Sequence, residues 1–213
     1  MPAAETIRFY FSFRSPYAWL AYERLERAFA ALPVSVQRIP VFPPPDYPND
    51  PAAVPAKLAY IVHDASRIAK EYGLPPMTWD GDVNTDWMRP HAAYVFASDQ
   101  GNGDAFALAV FGARFCEGRN VGTDDVLRNV ARQCGLDPEA VVRAADDPAM
   151  HKLVGIGFLQ AGQDGIFGVP FFAWCDQKFW GNDRIEWLIR EIQRASGKNV
   201  PDLVADLMAR PSA

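Results

Sequence analysis

Three short stretches carry residue types suited to chemistry. The first is Phe13-Arg14-Ser15-Pro16-Tyr17, where an alternating aromatic segment gives way to helical spacing. A serine at a strand-to-helix junction sits where unpaired amides and the helix dipole create positive potential, which stabilises an anion such as a thiolate. The same serine suits a plain N-cap, and spacing alone favours the cap. No GxSxG elbow surrounds Ser15 and no His stands near it in sequence, so a serine hydrolase has little support.

The second stretch is Val169-Pro170. A proline opening a strand removes a ladder donor and is tolerated at an edge or in a special peptide geometry. A cis bond would meet that need and turn the Val169 amide and carbonyl outward, ready to pair with an extended peptide; a functionless edge proline is the alternative. The third stretch is Gly181-Asn182-Asp183-Arg184. Its helix-opening amides could receive a carboxylate and Asp183 an ammonium group, although capping explains Asn182 and Asp183 equally well. Lys57 could meet a second carboxylate, against the rule that most lysines are solvated. Trp180, Trp87, Phe13 and Tyr17 could wall an aromatic pocket or serve as core.

The elements that must position these residues follow from periodicity. Ile7 to Phe13 alternates as a strand, Pro16 suits a first helical turn, Pro33 ends the helix, and Val34 to Ile39 resumes alternation, giving a βαβ opening. The proline-rich stretch Phe42 to Pro51 marks a boundary. Helical patterns follow at Val54–Tyr72, Trp87–Ser98, Asp104–Glu117 and Asp124–Gln133, the last with Thr123 as N-cap. Asp137-Pro138 and Asp147-Pro148 each place a capping side chain before a proline suited to the first turn. The block amounts to about five helices and no strands. Val169 to Trp174 and Lys178 to Trp180 then form a hairpin, a helix runs from Gly181-Asn182-Asp183 to about Ala195, and a short helix covers Asp202 to Met208. The expected fold class is α/β: a thioredoxin-like domain, residues 1–45 and 165–213, with an inserted all-helical domain, residues 46–164.

Bulk properties narrow the function. A formal charge of -5 across 213 residues argues against a nucleic-acid footprint, and no apolar run is long enough to cross a bilayer. The first residues lack a basic start and an apolar h-region, so a cytoplasmic location is expected. Cys116, Cys134 and Cys175 show no CxxC spacing, and His63, His91 and His151 are scattered, so neither a disulfide framework nor a metal site is expected.

Together these stretches resemble the family of 2-hydroxychromene-2-carboxylate isomerases and kappa-class glutathione transferases, relatives of disulfide-introducing thioredoxin-fold oxidoreductases. The resemblance spans nearly the whole chain. It rests on Phe9 to Tyr17, on Lys57-Leu58-Ala59-Tyr60, and above all on Phe167-Gly168-Val169-Pro170 with Phe179-Trp180-Gly181-Asn182-Asp183-Arg184. It implies that Ser15 replaces the first cysteine of a redox CxxC and Ala18 the second, so that these positions cannot exchange disulfides. It implies glutathione as cofactor, with Ser15 donating to the sulfur and lowering the thiol pKa. Val169, before a cis Pro170, would pair with the cysteinyl backbone, while Asn182, Asp183 and Lys57 would hold the ends.

For the isomerases the implied reaction belongs to aromatic catabolism: 2-hydroxychromene-2-carboxylate becomes trans-o-hydroxybenzylidenepyruvate through a transient glutathione adduct. The wording Trp180-Gly181-Asn182-Asp183 is closer to the isomerases than to the kappa transferases. One departure stands out, since Val41 to Asp46, where basic residues would meet an anionic aromatic substrate, contains no Lys or Arg. Arg14, or Arg89 with Asn84, would supply that charge instead, with Tyr17, Trp87 and Trp180 as aromatic contacts. The alternatives are a kappa-like transferase conjugating electrophiles and a non-catalytic adaptor. A homodimer is the expected assembly.

Overall fold

The computed structural model describes residues 5–30, 32–44, 54–80 and 84–196. The chain opens with β1 (Glu5–Phe11), α1 (Pro16–Phe29) and β2 (Val34–Pro40). Among the described residues six helices follow where about five were expected: α2 (Pro55–Glu71), α3 (Met88–Asp99), α4 (Gly103–Phe115), α5 (Asp124–Gln133), α6 (Pro138–Ala145) and α7 (Pro148–Gln163). The chain then returns to the sheet with β3 (Phe171–Trp174) and β4 (Gln177–Trp180), and passes through a 3-10 turn, Asn182–Arg184, into α8 (Ile185–Ser196). The strand order is β2-β1-β3-β4, with β1 parallel to β2 and antiparallel to β3. The helix expected over Asp202 to Met208 and the end of the proline-rich loop lie outside the described residues.

Local signals set the helix starts. Asp137 accepts from the Glu139 amide and Asp147 from the Ala149 amide, each with a proline next in the first turn. Thr123 holds the N-cap position of α5 but does not cap it, because its hydroxyl donates to the Asn120 carbonyl at 2.9 Å.

Alternation along β1 buries both of its faces. Ile7, Phe9 and Phe11 join α1, α8 and Phe172 on one side, while Tyr10 joins Ile39, Phe171, Ala173 and Ala161 of α7 on the other. The first side continues past the strand end. The Phe11 ring lies 5.0 Å from Tyr94 of α3, and the Phe13 ring lies 4.9 Å from Phe111 of α4. The expected division into residues 1–45 with 165–213 and residues 46–164 is therefore one of chain order, because a single aromatic core runs through both.

The inserted helices also pin the loop between β1 and α1. His91 of α3 is fully buried; its Nε2 accepts from the Phe13 amide at 3.1 Å and lies 3.0 Å from the Ser12 hydroxyl, while Nδ1 faces the Trp87 carbonyl at 2.6 Å. A nitrogen that accepts an amide hydrogen carries no proton, so the ring is the neutral Nδ1–H form. From α4, Arg114 donates to the Phe13 carbonyl at 2.6 Å. Among the described residues no helix is long and apolar enough to cross a membrane, and no group of three or more His, Cys, Asp or Glu gathers as a metal site.

Two outcomes are expected. Because the core is shared, Phe111→Ala should lower the stability of the whole chain by about 3–5 kcal/mol in one denaturant transition, with fluorescence and circular dichroism coinciding; separate transitions would contradict the shared core. Burial pushes the His91 pKa down from 6.5 to about 4. Between those values the unfolded chain binds a proton that the folded chain does not, so stability falls as pH drops through that window. Urea unfolding should show the parent losing about 2 kcal/mol more than His91→Gln between pH 7 and pH 5, and equal losses would refute a buried neutral ring.

Candidate active site

Ser15 is the N-cap of α1, and its oxygen accepts from the Ala18 amide at 3.2 Å. The same hydroxyl donates to the Val169 carbonyl at 3.3 Å. The cap and the chemical candidate are thus one side chain: an amide fixes the oxygen, and the proton points to a carbonyl across the loop. The Val169–Pro170 peptide is cis, as the resemblance implied. One residue on, the Pro170 carbonyl accepts from the Gly181 amide at 3.0 Å. Gly181 has φ of 116°, a region that L side chains rarely adopt. These two bonds bring together the three stretches singled out in the sequence.

Asn182 sits differently from expectation. It is 3% exposed, and both ends of its amide are taken: Oδ1 accepts from Arg24 at 3.3 Å and Nδ2 donates to the Tyr72 hydroxyl at 3.0 Å. Arg24 of α1 also reaches the Asn182 carbonyl at 3.2 Å, the Tyr72 hydroxyl at 3.0 Å and the Glu186 carboxylate. Asn182 therefore holds the turn from behind, with both ends of its side-chain amide engaged inside the protein. Asp183 is exposed and pairs with Arg184 at 2.6 Å. Lys57 is exposed in the first turn of α2. Tyr17 donates to Asp64 of the same helix at 2.8 Å, and burial beside that carboxylate raises the phenol pKa.

The rim beside Val169 is aromatic. Trp180, at the end of β4, meets Phe167 edge-on with ring centroids 4.9 Å apart, and both rings are more than half exposed. Gly168 permits this approach, since a Cβ there would lie 3.0 Å from the indole nitrogen. Trp87 packs against the inserted helices, its ring 4.5 Å from the Arg114 guanidinium and its carbonyl engaged by His91. Arg14 is half-buried next to Ser15.

The proposed alternative sources of charge fare differently. Arg89 is engaged within the helical block, bridging Asp124 at 2.6 Å and Asp146 at 2.8 Å while donating to the Gly122 carbonyl, so two carboxylates of the chain already balance its charge. Asn84 is an exposed turn residue with φ of 54°. No disulfide joins the three cysteines, and burial raises the thiol pKa of Cys116 and of Cys134.

Sequence reasoning missed His91, Arg114, Arg24 and Tyr72. The signal for two of them was present: His91 and Arg114 each interrupt an apolar helical run, and a polar residue at such a position needs a buried partner.

The chain matches the DSBA-like thioredoxin domain family over residues 6–193. It is 30% identical over 191 residues to 2-hydroxychromene-2-carboxylate isomerase of Sphingobium xenophagum, covering 86% of this chain and 96% of that one. To the protein of the same name from Pseudomonas putida it is 24% identical over 202 residues, covering 91% and 97%. A solved structure of 2-hydroxychromene-2-carboxylate isomerase shares the fold with a TM-score of 0.78 at 23% identity, over 95% of this chain and 98% of that one. A match running from β1 into α8, with such coverage in both directions, shows that the chain belongs to the DSBA-like thioredoxin-domain family and, within it, to the 2-hydroxychromene-2-carboxylate isomerase family.

Proposed function

We propose that this chain is a glutathione-dependent isomerase of aromatic catabolism, converting 2-hydroxychromene-2-carboxylate to trans-o-hydroxybenzylidenepyruvate. The observation that carries the proposal is the Ser15 hydroxyl, held by the Ala18 amide and directed at the Val169 carbonyl. At 3.3 Å that second bond is long, and a thiolate is a stronger acceptor than a carbonyl. The hydroxyl proton can therefore turn to an incoming sulfur while the oxygen stays in place. With Ser15 and Ala18 at these positions, no thiol of the chain competes there for the ligand.

The residues fit glutathione. Ser15 would receive the sulfur, Val169 the cysteinyl backbone, and Asp183 and Lys57 the charged ends, with Asn182 supporting the Gly181 turn. Bound there, glutathione supplies a nucleophilic thiolate that adds reversibly to the substrate and is returned unchanged. The work of the chain is to raise the thiolate fraction and to orient it, each pKa unit being worth about 1.4 kcal/mol. Trp180 and Phe167 offer aromatic faces to a flat substrate, Trp87 and Tyr17 flank the loop, and Arg14 supplies positive charge beside Ser15. A reducing compartment, such as the cytoplasm, keeps the cofactor as a thiol.

The exposure of Phe167 and Trp180 favours one further possibility, a transferase releasing glutathione conjugates of varied electrophiles through an open rim. Consumption of glutathione during turnover separates the two, because an isomerase returns it.

Glutathione and S-methylglutathione should each raise the melting temperature at millimolar concentration, and no shift from either would end the glutathione proposal. Ser15→Ala should lower kcat by about 10- to 100-fold, as one or two pKa units of lost thiolate stabilisation require, while S-methylglutathione still binds; full turnover would remove Ser15 from the mechanism. Asn182→Ala should cost about 1–3 kcal/mol in stability by removing the buried amide that links Arg24 to Tyr72, whereas Asp183→Ala should leave stability unchanged and raise KM for glutathione. The reverse pattern would contradict the inward role of Asn182.

A further inference from the structure

The two bonds that His91 makes to the β1–α1 loop lie close to Ser15 in a chain of contacts. The Ser12 hydroxyl, directed at His91 Nε2, accepts in turn from the Arg14 amide at 3.3 Å. The Ser12 carbonyl accepts from the Ser15 amide at 3.0 Å. His91 also receives the Phe13 amide, while Arg114 takes the Phe13 carbonyl. Both polar groups of the Phe13 backbone are thus fixed by side chains of the inserted helices, and the serine three residues before Ser15 is bonded to the same imidazole. The site where Ser15 Oγ must stand, between the Ala18 amide and the Val169 carbonyl, admits little displacement before one of two bonds already at 3.2 and 3.3 Å is lost.

We infer that His91 is a positioning residue for Ser15, acting through Ser12 and Phe13 so that the inserted helices set how strongly the hydroxyl activates the thiol. The inference rests on the reading of Ser15 as the donor to a glutathione sulfur. His91 touches neither the sulfur nor the substrate. Its contribution is an acceptor at Nε2, and that acceptor exists only in the neutral Nδ1–H ring. The ring is enclosed by Phe13 at 5.1 Å and Phe42 at 5.5 Å, with the Arg114 guanidinium the charged group acting on it and opposing its protonation. A ring without an acceptor would fill the same space and leave the Phe13 amide and the Ser12 hydroxyl unsatisfied, which frees the loop to shift.

The test uses His91→Phe, which keeps the ring and removes the acceptor, His91→Gln, whose Oε1 can replace Nε2, and Ser12→Ala, a smaller change should the first variant fold poorly. The thiol pKa of bound glutathione is read from thiolate absorbance against pH, alongside kcat and KM. The expected result for His91→Phe and Ser12→Ala is a bound-thiol pKa higher by about one unit and a kcat lower by up to about tenfold, with KM for glutathione changed less than about threefold. His91→Gln should recover most of the lost kcat. A folded His91→Phe or Ser12→Ala enzyme with the parent thiol pKa and kcat would overturn the positioning role, as would His91→Gln behaving like His91→Phe. Absence of any bound thiolate in the parent protein is a different failure, which removes the glutathione reading itself and the inference with it.

Discussion

The packing of three phenylalanines at the end of the first strand governs this molecule. Phe9, Phe11 and Phe13 are fully buried, with Phe9 stacked on Phe172 at 4.8 Å, Phe11 set edge-on to Tyr94 and Phe13 placed beside Phe111. The strand and its continuation thus lie partly in the sheet core and partly in the helical block. Burying rings of this size contributes several kcal/mol each, which neither part could recover alone. The loop that carries Ser15 begins where the third of these rings ends, so the position of the hydroxyl inherits the rigidity of the core.

Around that loop two clusters of buried polar groups stand out among the described residues. In one, His91 and Arg114 hold the Ser12–Phe13 backbone. In the other, Arg24, Asn182, Tyr72 and Glu186 lock the Gly181 turn to α1. Burying a guanidinium is costly unless its protons are satisfied. Arg24 has a carboxylate and several oxygens, and the partners of Arg114 include a backbone carbonyl and the faces of Trp87 and Phe115, at 4.5 and 4.0 Å. Each cluster fixes backbone from behind and leaves the Ser15 hydroxyl and the Val169 carbonyl facing each other.

What could be read from the sequence was what local chemistry decides. Asp137 and Asp147 cap the helices that the Asp-Pro pairs announced, and the hairpin falls where β-favouring residues flank Cys175 and Asp176. The cis Val169–Pro170 bond and the meeting of the three candidate stretches followed from the resemblance, because no local rule links residues 154 apart. His91 and Arg114 stayed hidden for the same reason: their partners in the loop are 78 and 101 residues distant. Asn182 was misplaced because a short polar residue before a helix reads alike whether its amide faces outward to a ligand or inward to an arginine. The engagement of Arg89 was hidden because its acidic partners, Asp124 at the start of α5 and Asp146 just past the end of α6, are distant in sequence.

The sheet order has a consequence for biosynthesis. β1 lies between β2 and β3, with Arg8 opposite Ala173 and Tyr10 opposite Phe171. A ribosome adding about 5–20 residues per second needs on the order of 8–30 s to make β3 after β1 has appeared. Through that interval β1 has β2 as its partner along one edge, while its other edge is open to pairing. The inserted helices emerge during the wait, and Tyr94 and Phe111 are in place to cover Phe11 and Phe13 before the hairpin arrives. The insertion that shapes the site is thus also positioned to act as an internal chaperone for the strand that leads into it.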